Sequence, residues 1–246
     1  MLQIRDLTYI VDEGKDSKTI LDNLTLDIED SKFTVITGPN GGGKSTLAKL
    51  IAGIIKPTSG KILLDGEDIT DMSITDRALR GISYAFQQPV KFKGLQVFDL
   101  LKIAAGKEAK LNFNDACKYL SEVGLCARDY INREVNGSLS GGELKRIEIA
   151  TVLARGTKMS VFDEPEAGID IWSFQNLTRI FENMRKNITD SGIVIISHQE
   201  KILRIADEIV VLADGKIRMQ GKGEDILPQI MGTPDAVTAC EKIQGV

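Results

Sequence analysis

The sequence has no long apolar run and no leader-like start. No segment approaches the roughly 18 consecutive apolar residues of a membrane-spanning helix. The start of the chain, MLQIRD, lacks the basic and then apolar pattern of a secretory signal. We therefore expect a protein that neither spans a membrane nor is secreted by that route, and we predict a cytoplasmic location.

The sequence also contains few cysteines and no excess of basic residues. The three cysteines, Cys117, Cys126 and Cys240, are widely spaced and lack the CxxC spacing of a zinc or redox site. This pattern is typical of thiols in a reducing compartment, and it leaves the role of Cys240 open. The formal net charge of −4 is spread over segments of mixed sign, so there is no polybasic surface and we expect no nucleic-acid partner.

The residues that are abundant indicate a compact α/β protein. Hydrophobic residues make up 42% and charged residues 27% of the 246 positions, as is usual for globular domains. Short apolar runs at 33–36 (FTVI), 159–162 (MSVF) and 193–196 (IVII) predict strands that are buried on both faces. The first run is followed by apolar residues with helical spacing: Leu47, Leu50, Ile51, Ile54 and Ile55. We therefore expect strands and helices to alternate around a mainly parallel sheet.

Other segments depart from this alternation. Residues 2–11 and 21–28 alternate apolar and polar positions around a charged turn, which predicts an antiparallel hairpin in a side sheet. Residues 89–137 are charged, favour helix and contain no strand-like run, which predicts an inserted helical lobe. The pair Asp214 and Gly215 is a turn signal that heads a last small hairpin.

These segments predict one domain that spans residues 1–246. Its core is expected at 1–88 and 155–246, and its helical lobe at 89–154. The lobe then includes the helix that follows residue 140.

Residues 38–46 read GPNGGGKST, which contains G-x-x-x-x-G-K-[ST] between a strand-like run and a helical segment. Glycines let backbone N–H groups converge on a phosphate, at a helix N-terminus that carries about half a positive charge. In this P-loop we expect Lys44 to reach the β and γ phosphates and the Ser45 hydroxyl to ligate Mg²⁺. The residues predicted to contact the nucleotide here are Gly38, Asn40, Gly41, Gly42, Gly43, Lys44, Ser45 and Thr46.

Two further apolar runs end in groups suited to hydrolysis. Asp163 and Glu164 follow the run MSVF, and open α/β sheets place their ligands at the carboxyl ends of such strands. We expect Asp163 to hold Mg²⁺ and Glu164 to polarise the attacking water. The only histidine, His198, follows the run at 193–196, where it can donate to the γ-phosphate and steady the water.

A second helix start has the composition of a phosphate site. Residues 139–143 read LSGGE and open the helical segment LKRIEIATVLA. The hydroxyl of Ser140 and the amides of Gly141 and Gly142 lie at the N-terminus of that helix. A simple capping turn has the same composition, so this segment alone leaves both interpretations open.

Taken together, these segments resemble the ABC ATPase family, in its motif order and across nearly the whole chain. The matching motifs are the Walker A segment GPNGGGKST, the signature LSGGE, the Walker B segment VFDE and the switch histidine His198. The resemblance implies a P-loop NTPase fold of ABC type that hydrolyses ATP with Mg²⁺. It further implies that Gln87 links Mg²⁺ and the water to the helical lobe, and that Asp170 is the D-loop aspartate.

The resemblance also implies a partner copy and a contact for the base. In ABC ATPases the signature of one copy closes over ATP held by the Walker A loop of another, so we expect an ATP-dependent head-to-tail dimer. The adenine normally stacks on an aromatic residue of the first strand. Tyr9 and Val11 share a strand face by the period of two, and the sequence does not decide between them.

Within the family, three segments resemble the SufC ATPases of the SUF iron–sulphur cluster assembly system: residues 85–97 (AFQQPVKFKGLQV), 140–146 (SGGELKR) and 196–203 (ISHQEKIL). That resemblance implies a SufB/SufD-like scaffold protein as partner; the alternative is a transporter permease. Leu139 and Pro165 depart from the SUF pattern and are transporter-like. Gly42 replaces the serine of many ABC phosphate loops.

Two other classes of ATP-binding protein fit less well. DNA-clamp ATPases of the SMC type share these motifs but carry long heptad repeats, which this chain lacks. A regulator that binds ATP without hydrolysing it would not need intact Asp163, Glu164 and His198.

Overall fold

The structure is a computed structural model that describes residues 1–14, 16–106, 109–187 and 189–232. Its strands in chain order are β1 (Leu2–Glu13), β2 (Asp16–Ile28), β3 (Phe33–Thr37), β4 (Ser59–Leu64), β5 (Glu67–Asp68), β6 (Ile82–Ala85), β7 (Met159–Asp163), β8 (Gly192–Ile196), β9 (Glu208–Ala213) and β10 (Lys216–Lys222). Its helices are α1 (Lys44–Ala52), α2 (Ile74–Leu79), α3 (Val97–Ala105), α4 (Phe113–Glu122), α5 (Ala127–Tyr130), α6 (Gly141–Arg155), α7 (Ile171–Asn187), α8 (Glu200–Leu203) and α9 (Gly223–Met231).

A six-stranded sheet forms the centre, in the order β10-β9-β3-β8-β7-β6. The pairs from β9 to β6 are parallel, and only β10 joins its neighbour antiparallel. The β9–β10 turn has positive φ at both Asp214 and Gly215, as a tight two-residue hairpin requires. The parallel core and the last hairpin are therefore as predicted.

The central strands are buried on both faces, which explains their continuous apolar runs. On β8, Ile193 and Ile195 join one core cluster, whereas Val194 and Ile196 join the other. The first cluster also contains residues of α3, α4, α6 and α7. The second contains residues of β1, β2, β4 and α1. The sheet thus lies between helices on one side and the antiparallel strands with α1 on the other.

The predicted side sheet is present as four strands in the order β2-β1-β4-β5. Strands β1 and β2 pair antiparallel, and their pairing continues to Asp12 opposite Ser17, so the connecting turn is tighter than the charged segment suggested. The register shifts between Leu7 and Tyr9 and again between Tyr9 and Ile10. In both shifts the extra residue lies on β2, so the period of two from Tyr9 to Val11 on β1 is uninterrupted, and both side chains are partly buried.

Helix α1 is shorter than its apolar spacing predicted. It ends at Ala52, and Gly53 adopts the left-handed conformation with φ 76°. The N–H groups of Gly53 and Ile54 close the last turn on the carbonyls of Leu50 and Lys49. Ile54 and Ile55 consequently lie beyond the helix, because a glycine C-cap ends it before its hydrophobic pattern ends.

Candidate nucleotide and hydrolysis site

The predicted site residues gather at one edge of the parallel sheet. Strands β3, β8, β7 and β6 are consecutive neighbours that run in the same direction. The loop of residues 38–43 follows β3, Glu164 follows β7, His198 lies beyond β8 and Gln87 lies beyond β6. Four segments that are distant in sequence therefore meet at the carboxyl edge, where open α/β sheets bind ligands.

Close contact with β9 fixes the glycines of the loop. Gly38 has φ 135°, and a Cβ there would lie 2.0 Å from the carbonyl oxygen of Leu212. A Cβ on Gly42 would lie 2.8 Å from the same oxygen and 3.1 Å from that of Pro39. Glycine at position 42 thus matches the crowding behind the loop, and a serine would require the backbone to shift.

Lys44 is the first residue of α1 and is almost completely buried. Its Nζ donates to the carbonyl oxygens of Gly38 and Pro39, each at 2.8 Å, so the ammonium group lies across the loop. Burial lowers the pKa of Lys44, and the charges of Glu164 and Asp163 oppose that shift. A cation held in this way is positioned to contact an anion in the loop.

Asp163 accepts hydrogen bonds from two hydroxyl groups. Its Oδ1 accepts from Ser45 Oγ at 2.9 Å and its Oδ2 from the Tyr84 hydroxyl at 2.8 Å, and the residue is only 3% exposed. Burial and the charge of Asp163 raise the pKa of Tyr84, so its hydroxyl remains protonated and donates. Phe86 packs edge-on against the Tyr84 ring, with centroids 4.8 Å apart. Sequence reasoning missed Tyr84, because its contact depends on β6 lying beside β7.

Glu164 lies opposite the glutamine of the β6 end. Gln87 Nε2 donates to Glu164 Oε2 at 2.5 Å, and this hydrogen bond is exposed. Glu164 has φ 43°, and its N–H donates to the Ile196 carbonyl at 3.0 Å. A left-handed backbone at a residue with a side chain costs about 1 kcal/mol, and such strain concentrates at functional sites.

A buried carboxyl that the sequence did not reveal connects two of these strand ends. Glu166 Oε1 accepts from Ser197 Oγ at 2.5 Å, and Ser197 Oγ accepts from the Gln199 N–H at 3.0 Å. Burial is the main cause that raises the pKa of Glu166. These bonds join the turn after Glu164 to the segment that carries His198.

The side chain of His198 is exposed at the same edge. Its Nε2 lies 3.4 Å from Gln199 Nε2. Asn40 in the loop is also exposed, and Thr46 on α1 is partly exposed. Their side chains are accessible to a ligand in the loop.

The Ser140–Gly142 turn starts α6 as a capping box. Ser140 Oγ accepts from the Glu143 N–H at 3.2 Å, and Glu143 Oε2 accepts from the Ser140 N–H at 2.7 Å. Ser140 and Gly141 are exposed, whereas Gly142 packs on Ser173. Across the described residues, no hydrogen bond joins this turn to residues 38–46. One copy therefore does not bring the two helix starts together.

Asp170 stabilises the first turn of α7 beside that signature turn. Its carboxylate accepts from the N–H groups of Trp172 and Ser173, at 2.9 and 3.0 Å, and from the Ser173 hydroxyl at 2.7 Å. The hydrogen bonds from Ser173 lower the pKa of Asp170. Because Ser173 also contacts Gly142, the Asp170 segment and the signature turn are adjacent within one chain.

The remaining sequence expectations concern thiols, metals and membranes. Cys117 is half-buried and Cys126 exposed, whereas Cys240 lies outside the described residues. The described part of the chain has no cluster of three or more His, Cys, Asp and Glu side chains arranged for a metal ion. None of the helices found in residues 1–232, outside the gaps given above, is long and apolar enough to cross a membrane.

Comparison with known proteins gives consistent matches. The family model described as ABC transporter matches residues 21–167. An uncharacterised ABC transporter ATP-binding protein of Methanocaldococcus jannaschii is 34% identical over 234 residues, covering 92% of this chain and 90% of the relative. The spermidine/putrescine import ATP-binding protein of Mesoplasma florum is 32% identical over 231 residues, covering 92% of this chain and 63% of the relative.

A solved structure shows the same fold. It is a dimeric ATP-binding cassette in a post-hydrolysis state with ADP and phosphate, with a TM-score of 0.79 and 23% identity, covering 90% of this chain and 98% of that one. The predicted fold class is therefore confirmed. The SufC assignment gains no support, because these relatives are named as an ABC transporter ATP-binding protein and an import ATP-binding protein.

Proposed function

Since the chain belongs to the ABC transporter family, we propose that it is the ATP-binding and ATP-hydrolysing subunit of an ABC transporter and works as a dimer. One observation carries the proposal most strongly. The hydrogen bonds of Ser45 with Asp163 and of Gln87 with Glu164 place two separate acid–partner pairs beside the glycine loop. Binding and hydrolysis of a nucleoside triphosphate need these groups together.

The glycine loop and α1 bind the phosphates. Backbone N–H groups at the start of α1 attract the anion, and Lys44 moves its donors from the carbonyls of Gly38 and Pro39 to the β and γ phosphates. The accompanying residues are Asn40, Gly41, Gly42, Gly43 and Thr46. Tyr9 or Val11 contacts the adenine. Tyr9 packs on the core beneath the side sheet, which limits how much of its ring is open to a base.

The chemistry of the oxygen donors fits Mg²⁺. Ser45 and Asp163 present hard oxygen atoms in direct contact with each other, and the side-chain oxygen of Gln87 is a third donor of the same kind. These three residues would hold the cation. When bound, Mg²⁺ neutralises charge on the phosphate oxygens.

Glu164 prepares the water for attack. Its carboxylate accepts a proton from the water that attacks the γ-phosphorus, while the Gln87 amide fixes its orientation. His198 is exposed at the same edge and donates to a γ-phosphate oxygen. Phosphate and ADP are the products.

A second copy completes the site. Ser140 and Gly141 are exposed at a helix start that makes no contact with the loop of its own chain, so this turn is available to ATP held by another copy. Asp170, beside that turn, then lies at the contact between the two chains. The dimeric cassette with the same fold supports this arrangement.

The partner is a transporter permease, as the names of the relatives favour. A soluble SufB/SufD-like scaffold of iron–sulphur assembly is the second candidate. Its support is residues 85–97, one of the segments that carry the SUF resemblance, because Phe86, Val90 and Phe92 there are 42%, 45% and 36% exposed and offer a partner an apolar contact.

Affinity purification of the tagged chain from native cells, together with an ATPase assay, tests this proposal. We expect Mg²⁺-dependent release of phosphate and co-purification of a polytopic permease. Co-purification of a soluble scaffold instead would support the SUF-type role and contradict the transporter assignment. Absence of Mg²⁺-dependent hydrolysis at any protein concentration would contradict both.

A further inference from the structure

The signature helix α6 contains a buried ion pair that the proposed chemistry does not use. Lys145 is only 1% exposed, and its Nζ donates to Glu148 Oε2 at 2.8 Å. Burial raises the pKa of Glu148, and the charge of Lys145 opposes that shift. Because removing two charges from water costs free energy, such a pair is weak evidence for stability alone.

Both members of the pair hold the backbone of one residue. Lys145 Nζ also donates to the carbonyl oxygen of Phe86, and Glu148 Oε1 accepts from the Phe86 N–H at 3.1 Å. The two backbone polar groups of Phe86 are therefore both bonded to side chains of α6. The residue is 42% exposed, so these backbone bonds anchor this position together with the contact of its ring on Tyr84.

Phe86 is the residue before Gln87, whose amide donates to Glu164. At its other end, α6 begins with the Ser140–Gly142 turn. Ser140 and Glu148 are about 12 Å apart along a helix, at 1.5 Å per residue. A rigid helix thus connects the turn proposed to meet ATP on a second copy with the backbone that carries Gln87.

We propose that Lys145 and Glu148 are positioning residues that couple the signature turn to Gln87. In this arrangement, movement of α6 when Ser140–Gly142 engages ATP also moves the Phe86 backbone. Through its hydrogen bond to Glu164, Gln87 then passes this movement to the carboxylate when the dimer closes. Neither Lys145 nor Glu148 touches the nucleotide. This inference rests on the proposed function, and it adds a residue pair that links the signature turn to the hydrolysis site.

A double-mutant cycle between Lys145→Met and Gln87→Ala tests the coupling. Lys145→Met keeps an unbranched side chain, one atom shorter, but loses both donated bonds. We expect kcat to fall about tenfold in the parent background and to change less than about twofold when Gln87 is already alanine. Affinity for a fluorescent ATP analogue should stay unchanged, because Lys145 lies outside the phosphate loop. Lys145→Arg should retain most of the activity, since it can donate to both acceptors.

Lys118→Met, an exposed lysine paired with Glu122 on α4, is the matched control and should leave kcat unchanged. If Lys145→Met does not fold, Lys145→Met with Glu148→Leu removes both charges and replaces it in the cycle. An unchanged kcat in Lys145→Met, or equal losses in both Gln87 backgrounds, would overturn the coupling alone. A parent protein without ATP hydrolysis would overturn the proposed function and this inference with it.

Discussion

The side-chain amide of Gln87 donates to the carboxylate of Glu164 at 2.5 Å, although 77 positions separate the two residues in the chain. The contact exists because β6 and β7 are parallel neighbours that end at the same edge. Spacing alone identified Glu164, whereas only the family resemblance identified Gln87. Their contact places both in one site and supplies the strongest structural reason to assign them a shared role.

Substitution of Glu164 by glutamine should stop turnover without preventing binding. The amide keeps the shape of the side chain but cannot accept the proton of the attacking water, so we expect kcat to fall by about 10² to 10⁴. ATP should remain bound, and the dimer should accumulate, as measured by phosphate release and light scattering. Glu200→Gln, at an exposed position on α8, is the control. Hydrolysis by Glu164→Gln at the parental rate would show that another group activates the water.

Substitution of Lys44 by alanine should abolish nucleotide binding or nearly so. The buried ammonium group is the only side-chain cation that the structure shows bonded to the loop carbonyls, within the residues described. Its removal leaves the phosphate charge to the backbone N–H groups alone. Titration with a fluorescent ATP analogue measures the loss, and Lys49→Ala, exposed on the same helix, serves as the control. Equal affinities of the two variants would contradict the assigned role of Lys44.

Substitution of Tyr84 by phenylalanine should weaken the dependence of ATP binding on Mg²⁺. The hydroxyl fixes one oxygen of Asp163 while Ser45 bonds to the other. Loss of such an orienting bond lowers metal affinity by about tenfold or more. Binding of ATP in EDTA should stay at the parental level, because the ring and its contact with Phe86 remain. An identical Mg²⁺ dependence of ATP binding in both proteins would show that Tyr84 does not contribute to the Mg²⁺ site.

Substitution of Arg77 by methionine should destabilise the fold rather than the chemistry. Arg77 is only 1% exposed and donates to the carbonyl oxygens of Leu50, Ile51 and Thr70 at 2.6, 2.9 and 2.6 Å. Leaving these acceptors without a charged donor should reduce the free energy of unfolding by about 3 kcal/mol. Urea denaturation measures the difference. Arg80→Met, at an exposed site, should change stability by less than about 0.5 kcal/mol.

Basal hydrolysis should depend on protein concentration. The signature turn makes no hydrogen bond to residues 38–46 of its own chain within the described structure, so the complete site requires association of two copies. We expect the rate per subunit to rise with concentration towards a plateau. A high rate that is constant from nanomolar to micromolar protein would mean that one copy suffices.

The sequence predicted the layout of the fold because its central strands leave a distinct pattern. Strands β3, β7 and β8 are buried on both faces, and such strands must be continuously apolar. The P-loop and the acids at the end of β7 were predictable for a related reason, since the loop directly follows one such strand and the acids end another. Helix α1 was predicted too long because apolar Ile54 and Ile55 continue its spacing after Gly53 has ended it.

Contacts between strands were not predictable in the same way. Tyr84 and Glu166 belong to the site because of which strands are neighbours, and one sequence does not state that order. The bulges near Tyr9 likewise depend on how β1 pairs with two partners. The SufC resemblance gained no support for a different reason: it rested on short segments of the nucleotide site and the helical lobe, while comparison over nearly the whole chain favours transporter subunits.

A crystal structure of Glu164→Gln grown with ATP and Mg²⁺ would show directly whether two copies share each ATP. We expect two copies arranged head to tail, with the Ser140 hydroxyl and the Gly142 amide of one copy bonded to the γ-phosphate that lies over Lys44 of the other. A structure in which ATP occupies the loop but residues 140–142 of every neighbouring copy remain remote from the phosphates would contradict it.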